Sequence, residues 1–213
     1  MFIKNSAFAL RVTNHEFEPA SNITGLFQNA EGKEETCSAG FLCIRKEQMD
    51  LAGYPGKKND NAWIMVAAAD GMGDAIFACN THDVNTIVDE VTGAEYKVGT
   101  NTLGLPAPAG RPCTYTYIDF DSCIKQYRFG EGNLTAEIGE SKYLVIENGI
   151  LKPSAEAPTA AGQAYFEVID QGKFVQGAYD GFEFITVLAK RVKGASAAAA
   201  VTPDEPTDEE TGV

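Results

Sequence analysis

Apolar and polar residues alternate along most of this chain, in short runs broken by glycine, proline and asparagine. A period of two puts every second side chain on one face of a sheet, so such runs predict strands. They fall at residues 7–13, 41–46, 62–68, 74–79, 113–119, 124–129, 134–138, 142–147, 164–170 and 183–191. In "TYTYIDF", Tyr115, Tyr117 and Asp119 share one face and Thr116, Ile118 and Phe120 the other. "YLVIENGILKP" is the strongest local signal, because Asn148-Gly149 between two apolar runs is the chemistry of a tight hairpin. One stretch departs from the pattern. "THDVNTIVDEV", residues 81–91, spaces Val84, Ile87, Val88 and Val91 along one side with Thr81 as a cap, and predicts a helix. The expected fold is mainly β, a sandwich or barrel of short antiparallel strands with at most one or two short helices.

Residues 1–193 form the β-rich body. The segment "GASAAAAVTPDEPTDEETGV", residues 194–213, has no aromatic residue and five acids with no base, the composition of a flexible tail. Residues 99–112, "GTNTLGLPAPAGRP", read as an extended connector, which either subdivides the body or runs over a neighbouring subunit. Residues 2–12 are too polar for a signal peptide, and no apolar run approaches the roughly 20 residues of a membrane span. The expectation is a chain made in a cytosol with no membrane contact.

Charge narrows the partners. The chain carries −13, and the body remains at −8 once the five acids of the tail are set aside. Such a surface repels phosphate backbones, so direct nucleic-acid binding is not expected. Lys57-Lys58 and Lys190-Arg191-Val192-Lys193 are the densest basic clusters. The five cysteines (Cys37, Cys43, Cys79, Cys113 and Cys123) are odd in number and contain no C-x-x-C pair, which argues against a zinc ribbon and for buried reduced thiols.

The stretch "AAADGMGDAIFAC", residues 67–79, resembles the Asp-Gly motif of the metal-dependent serine/threonine phosphatases, in which acidic motifs together hold two metal ions. Asp70 and Asp74 carry the resemblance. Asp74 stands where that family has a second glycine, and neither an upstream Arg-x-x-Asn-Glu-Asp element nor a downstream Gly-Asp-Ser accompanies it. A glycine-rich turn between two apolar strands explains the same residues with fewer parts. The two histidines are His15 and His82; His82-Asp83 lies near Cys79, but a thiol at a strand end is not placed for nucleophilic attack. "GEGNLTAEIGE", residues 130–140, lacks the alternating acids of a calcium loop. Tyr115, Tyr117, Tyr127, Phe129, Tyr143, Tyr165 and Phe166 read as sheet-face residues engaged in cross-strand packing rather than a sugar platform. No catalytic, cofactor-binding or metal-binding residue is assigned.

"EGNLTAEIGESKYLVIENGILKPS" and "GQAYFEVIDQGKFVQGAYDGFEFITVLAKRV" resemble the head decoration (capsid cement) and related virion proteins of tailed bacteriophages. The likeness covers residues 95–193 and lies in short strands, Asn-Gly and Asp-Gly hairpins, and a closing strand before a tail. It implies a non-enzymatic structural protein, made in the host bacterial cytoplasm, that binds the major capsid protein on the outside of the head and self-associates as a homotrimer. In that reading "MFIKNSAFALRVTNHEFEP" is an arm or edge strand that joins a partner's sheet. The alternatives are a tail-tube, connector or head-fibre protein, a carbohydrate-binding module, or a metal-dependent hydrolase.

Overall fold

The computed structural model describes residues 9–12, 22–72, 75–79, 86–88, 95–97, 106–173 and 183–193. The strands are β1 (Ala9–Val12), β2 (Asn22–Phe27), β3 (Leu42–Leu51), β4 (Tyr54–Ala67), β5 (Ile76–Cys79), β6 (Thr86–Val88) and β7 (Glu95–Lys97). They continue with β8 (Cys113–Tyr117), β9 (Gln126–Gly130), β10 (Tyr143–Glu147), β11 (Ile150–Ser154), β12 (Ala164–Lys173) and β13 (Glu183–Arg191). The protein is mainly β, as its alternating runs predict.

Eleven of the described strands form two assemblies. β2, β4, β3, β5 and β8 close into a barrel, while β1, β9, β13, β12, β10 and β11 form a six-stranded sheet in that order; β6 and β7 pair separately with each other. Closure depends on β2, which pairs antiparallel with β8 (Asn22 opposite Thr116) and parallel with β4 (Thr24 opposite Ala62). β1 is an edge strand of this chain's own sheet, with Ala9 opposite Phe129 of β9. At the other edge, Thr135 donates its N–H to the Leu151 carbonyl at 2.9 Å. Pro153 and Lys152 also sit on that outer strand, residue types that discourage further pairing.

Two expected elements are corrected. Thr86–Val88 is not helical: it is strand β6, paired with β7 through Thr86–Lys97, Ile87–Tyr96 and Val88–Glu95. Three consecutive β-branched residues favour the extended chain, and a short apolar run fits either period. Thr81, Val84 and Val91 lie outside the described residues. Residues 134–138 form no strand; Leu134 makes one parallel bridge to Leu151, and the segment runs irregularly along the edge of β11.

Where the barrel wall faces the sheet, at the start of β3 and along β5, it is buried on both faces, and this explains its sequence. On β3, Leu42 faces the six-stranded sheet and Cys43 the barrel interior; on β5, Ile76 and Ala78 face the sheet while Phe77 and Cys79 face inward. A strand covered on both sides reads as a continuous apolar run, as "AIFAC" does. The core between barrel and sheet adds Ile118, Phe120, Tyr127, Phe129, Leu144 and Phe166, with the Phe129 and Phe166 rings 5.2 Å apart edge to face. The barrel interior holds Phe27, Met65, Cys113 and Tyr115. No side chain fits at Gly25, where a Cβ would lie 2.4 Å from Met65 Cγ and 2.7 Å from the Tyr115 ring.

Backbone hydrogen bonds fasten the two assemblies. The β10–β11 turn enters the barrel: Asn148 and Gly149 donate to the Ala69 and Ala68 carbonyls, each at 2.7 Å, and Gly149 accepts from Leu42 at 2.8 Å. Buried Asn133 donates its side-chain amide to the Ala39 carbonyl at 2.8 Å. Ala164, at the start of β12, donates to the Gly71 carbonyl at 3.0 Å. The barrel strands therefore run through β8, and residues 118–125 carry the chain into the sheet; Ala107, within the expected connector, is buried in the barrel and exchanges two hydrogen bonds with Cys37.

Candidate interaction surface

The sequence predicts strands at 41–46 and 62–68, yet β3 and β4 run on past the barrel to Leu51 and back from Tyr54. Among the described residues their extra length pairs only with itself. β2 meets β4 from Ala62 to Met65, whereas Asp50 pairs with Lys58 and Leu51 with Tyr54 across the arm. Six residues from Lys46 to Leu51 at about 3.3 Å each make a ribbon about 20 Å long. Register shifts between Arg45 and Glu47 and between Gln48 and Asp50 twist it away from the barrel wall.

The arm is ordered by its own side chains. Lys58 Nζ lies 2.9 Å from Asp50 Oδ1, and Gly56 donates its N–H to Asp50 Oδ2 at 3.3 Å. The Lys58 hydrogen bond holds the Asp50 carboxyl below its usual range, and Asp50 in turn raises the Lys58 ammonium. Lys57 sits over the Tyr54 ring, 5.4 Å from its centroid. At the root, the Arg45 guanidinium lies over Trp63 at 4.8 Å and Phe77 at 5.5 Å. At the tip, Leu51 and Tyr54 stand opposite one another and are 41% and 57% exposed. Lys46, Lys57 and Lys58 balance Glu47, Asp50 and Asp60, so the arm is neutral on a chain of −13. A projecting ribbon with an apolar tip and free strand edges is built to touch another molecule.

The residues singled out in the sequence have other duties. Asp70 closes its own turn, its carboxylate accepting the Met72 N–H at 2.9 Å, while its backbone carbonyl accepts from Gln163 Nε2 at 3.1 Å. Gly71 beside it has φ +77, and a Cβ there would meet the Ala164 carbonyl oxygen at 2.7 Å. The Asp-Gly turn is thus a fastening of barrel to sheet. Asp74, His15 and His82 lie outside the described residues. Of the two basic clusters, Lys190 pairs with Glu167, and Arg191 with Asp121 at 3.0 Å; Lys57-Lys58 is on the arm.

None of the five cysteines is in a disulfide; Cys37, Cys43, Cys79 and Cys113 are buried and Cys123 is half-buried. Contact with Cys43 together with burial pushes the Cys37 thiol well up, contact with Cys37 and burial do the same to Cys79, and burial raises Cys43. The Tyr115 hydroxyl beside them is raised by burial. Protonated thiols of this kind are poor nucleophiles and poor metal ligands. Among the described residues, no group of three or more His, Cys, Asp or Glu side chains is placed to hold a metal ion.

Residues 130–140 acquire a role that composition did not suggest. After the 3-10 turn Glu131–Asn133, they wall a groove of about 780 Å3 against β12 and β13. Glu131, Glu137 and Glu183 line it, with Leu134, Ile138 and Ile185 as its apolar part. Among the described residues no helix is long and apolar enough to cross a membrane. The described chain defines a class, a mainly β protein with a closed barrel, an antiparallel sheet and a projecting ribbon. No family model matches it, and no curated protein or solved structure does so either.

Proposed function

We propose that this chain is a structural protein of a virus particle, a decoration or cement protein bound to the outer head shell of a tailed bacteriophage. The single observation that carries the reading is the arm: a neutral, internally braced ribbon with an exposed Leu51–Tyr54 tip, standing out from an acidic body. Its residues serve the protein's own core little, and their use lies in contact with a neighbour. The partners are the major capsid protein and further copies of the chain, with a homotrimer at local three-fold positions. Contacts repeated over a shell need only modest affinity per copy. The acidic exterior keeps the free protein soluble and has no need to meet packaged DNA.

Co-expression with a tailed-bacteriophage major capsid protein, followed by sedimentation of the shells, tests this. The chain is expected to sediment with the shells and to raise the temperature at which they come apart. Free rings or tubes of the chain, with shells left bare, would move the assignment to a connector or tail-tube protein. Shells left bare with no assembly of any kind would overturn the structural reading.

A further inference from the structure

We infer that copies of this chain join head to tail, the tip of the β3–β4 arm of one copy seating in the groove beside residues 131–139 of the next. The inference rests on the assembly reading above and names its contact surfaces. Two copies that each carry −13 repel one another across most approaches. The arm is the exception, since it is neutral overall and, with Lys58 already paired to Asp50, brings the Lys57 charge near its tip. The groove offers the complement: Glu137 and Glu183 line it, with Lys173 on its outer rim beside Gly172.

Shape agrees with charge. Leu51 and Tyr54 form one exposed pair at the tip, and Leu134 is the partly exposed apolar side chain of the groove wall, with Ile138 and Ile185 buried behind it. A volume of about 780 Å3 accepts a few side chains of a hairpin tip but not a folded element. The Asp50–Lys58 pair and the Lys57–Tyr54 stack hold the tip in shape beforehand, so less freedom is lost when it docks. Arm and groove belong to different assemblies of the fold, the barrel and the sheet. A contact between two unlike patches is heterologous, and it closes into a ring when the rotation between copies allows. A three-membered ring is the trimer of the assembly reading.

Sedimentation velocity over a concentration series tests the contact, with a reciprocal charge swap. Lys57→Glu is expected to weaken self-association on the order of tenfold, Glu137→Lys to do the same, and the chain carrying both to regain it. In a Cys123→Ser background, Ala52→Cys together with Gln171→Cys is expected to cross-link copies on oxidation with diamide, and neither cysteine alone to do so. Wild-type association that both single variants retain, with no cross-link, overturns the arm-in-groove contact. So does a wild-type chain that stays monomeric while binding head shells, and both results leave the assembly reading standing. A chain that neither self-associates nor binds shells overturns the two together.

Discussion

The hairpins β3–β4 and β10–β11 are made from the same ingredients and end in opposite surroundings. Each turns on glycine with positive φ, +78 at Gly53 and +81 at Gly149. A Cβ on Gly149 would lie 2.3 Å from the Phe41 ring, because that turn is embedded in the barrel; a Cβ on Gly53 would meet nothing within 4 Å. The backbone demand is alike, and the steric demand is not. In the β10–β11 hairpin the tip is a fastening: the backbone N–H groups of Asn148 and Gly149 and the Gly149 carbonyl are bonded to the barrel, and Gly149 is buried. In the exposed one the tip is braced from within by Asp50 and Lys58, and its apolar residues are left facing outward. Which hairpin serves the fold and which serves a partner is therefore decided by what lies beyond the turn.

The largest expected effect separates the arm from the barrel that carries it. Cys37, Cys43 and Cys79 stay protonated in the native barrel, while in the unfolded chain they ionise near 9.0. Their contribution is fully present below that pH and declines as pH rises above it, because the unfolded state then binds fewer protons. At pH 10 the loss is about 1.4 kcal/mol for each of Cys37 and Cys79, and Cys43 adds to it in the same direction. The Lys58 ammonium is raised above 10.5, so the arm's ion pair survives where the barrel weakens. Urea midpoints at pH 8 and pH 10 measure the loss; equal midpoints would mean the thiols are not buried as described.

A smaller effect compares the two turns directly. Gly149→Ala is expected to cost about 3 kcal/mol, since the strain of positive φ adds to overpacking against Phe41. Gly53→Ala carries the backbone strain alone, about 1 kcal/mol. Equal losses in urea titrations would erase the distinction between the hairpins. The smallest effect falls at the arm's tip, where Leu51→Ser with Tyr54→Ser should leave stability within about 0.5 kcal/mol of the parent while abolishing shell binding and self-association. A loss of the size seen for core residues would show the tip to be part of the fold.

Much of the sheet is legible in the sequence. Asn148-Gly149 announces its hairpin because few other dipeptides adopt the paired left-handed turn, and β13 spans residues 183–191 because both its ends are marked by a change of pattern. The arm is not legible. "KEQMDLAGYPGKKNDN" has no buried face, and a period of two shows only where one face is covered. β2 escapes notice for another reason: "NITGLF" is short and interrupted by Gly25, whose place is set by Met65 and Tyr115 far away in the chain. The groove is composite, and Glu137 meets Glu183 across it only because β12 and β13 bring residues 171–173 and 183–185 alongside. Such a site is a product of register. The Asp70 turn shows the reverse case, a chemically suggestive string whose carboxylate is consumed by the next turn of backbone.

The pairing that shuts the barrel also dictates when the protein can fold. Asn22 waits for Thr116, and Ala9 for Phe129, so neither can be satisfied until the chain as far as that distant partner has left the ribosome. Contacts this distant along the chain slow the approach to the native state and leave sticky strands uncovered meanwhile. Barrel closure therefore comes late, and until then the edges of β2 and β8 are open to pairing with other chains.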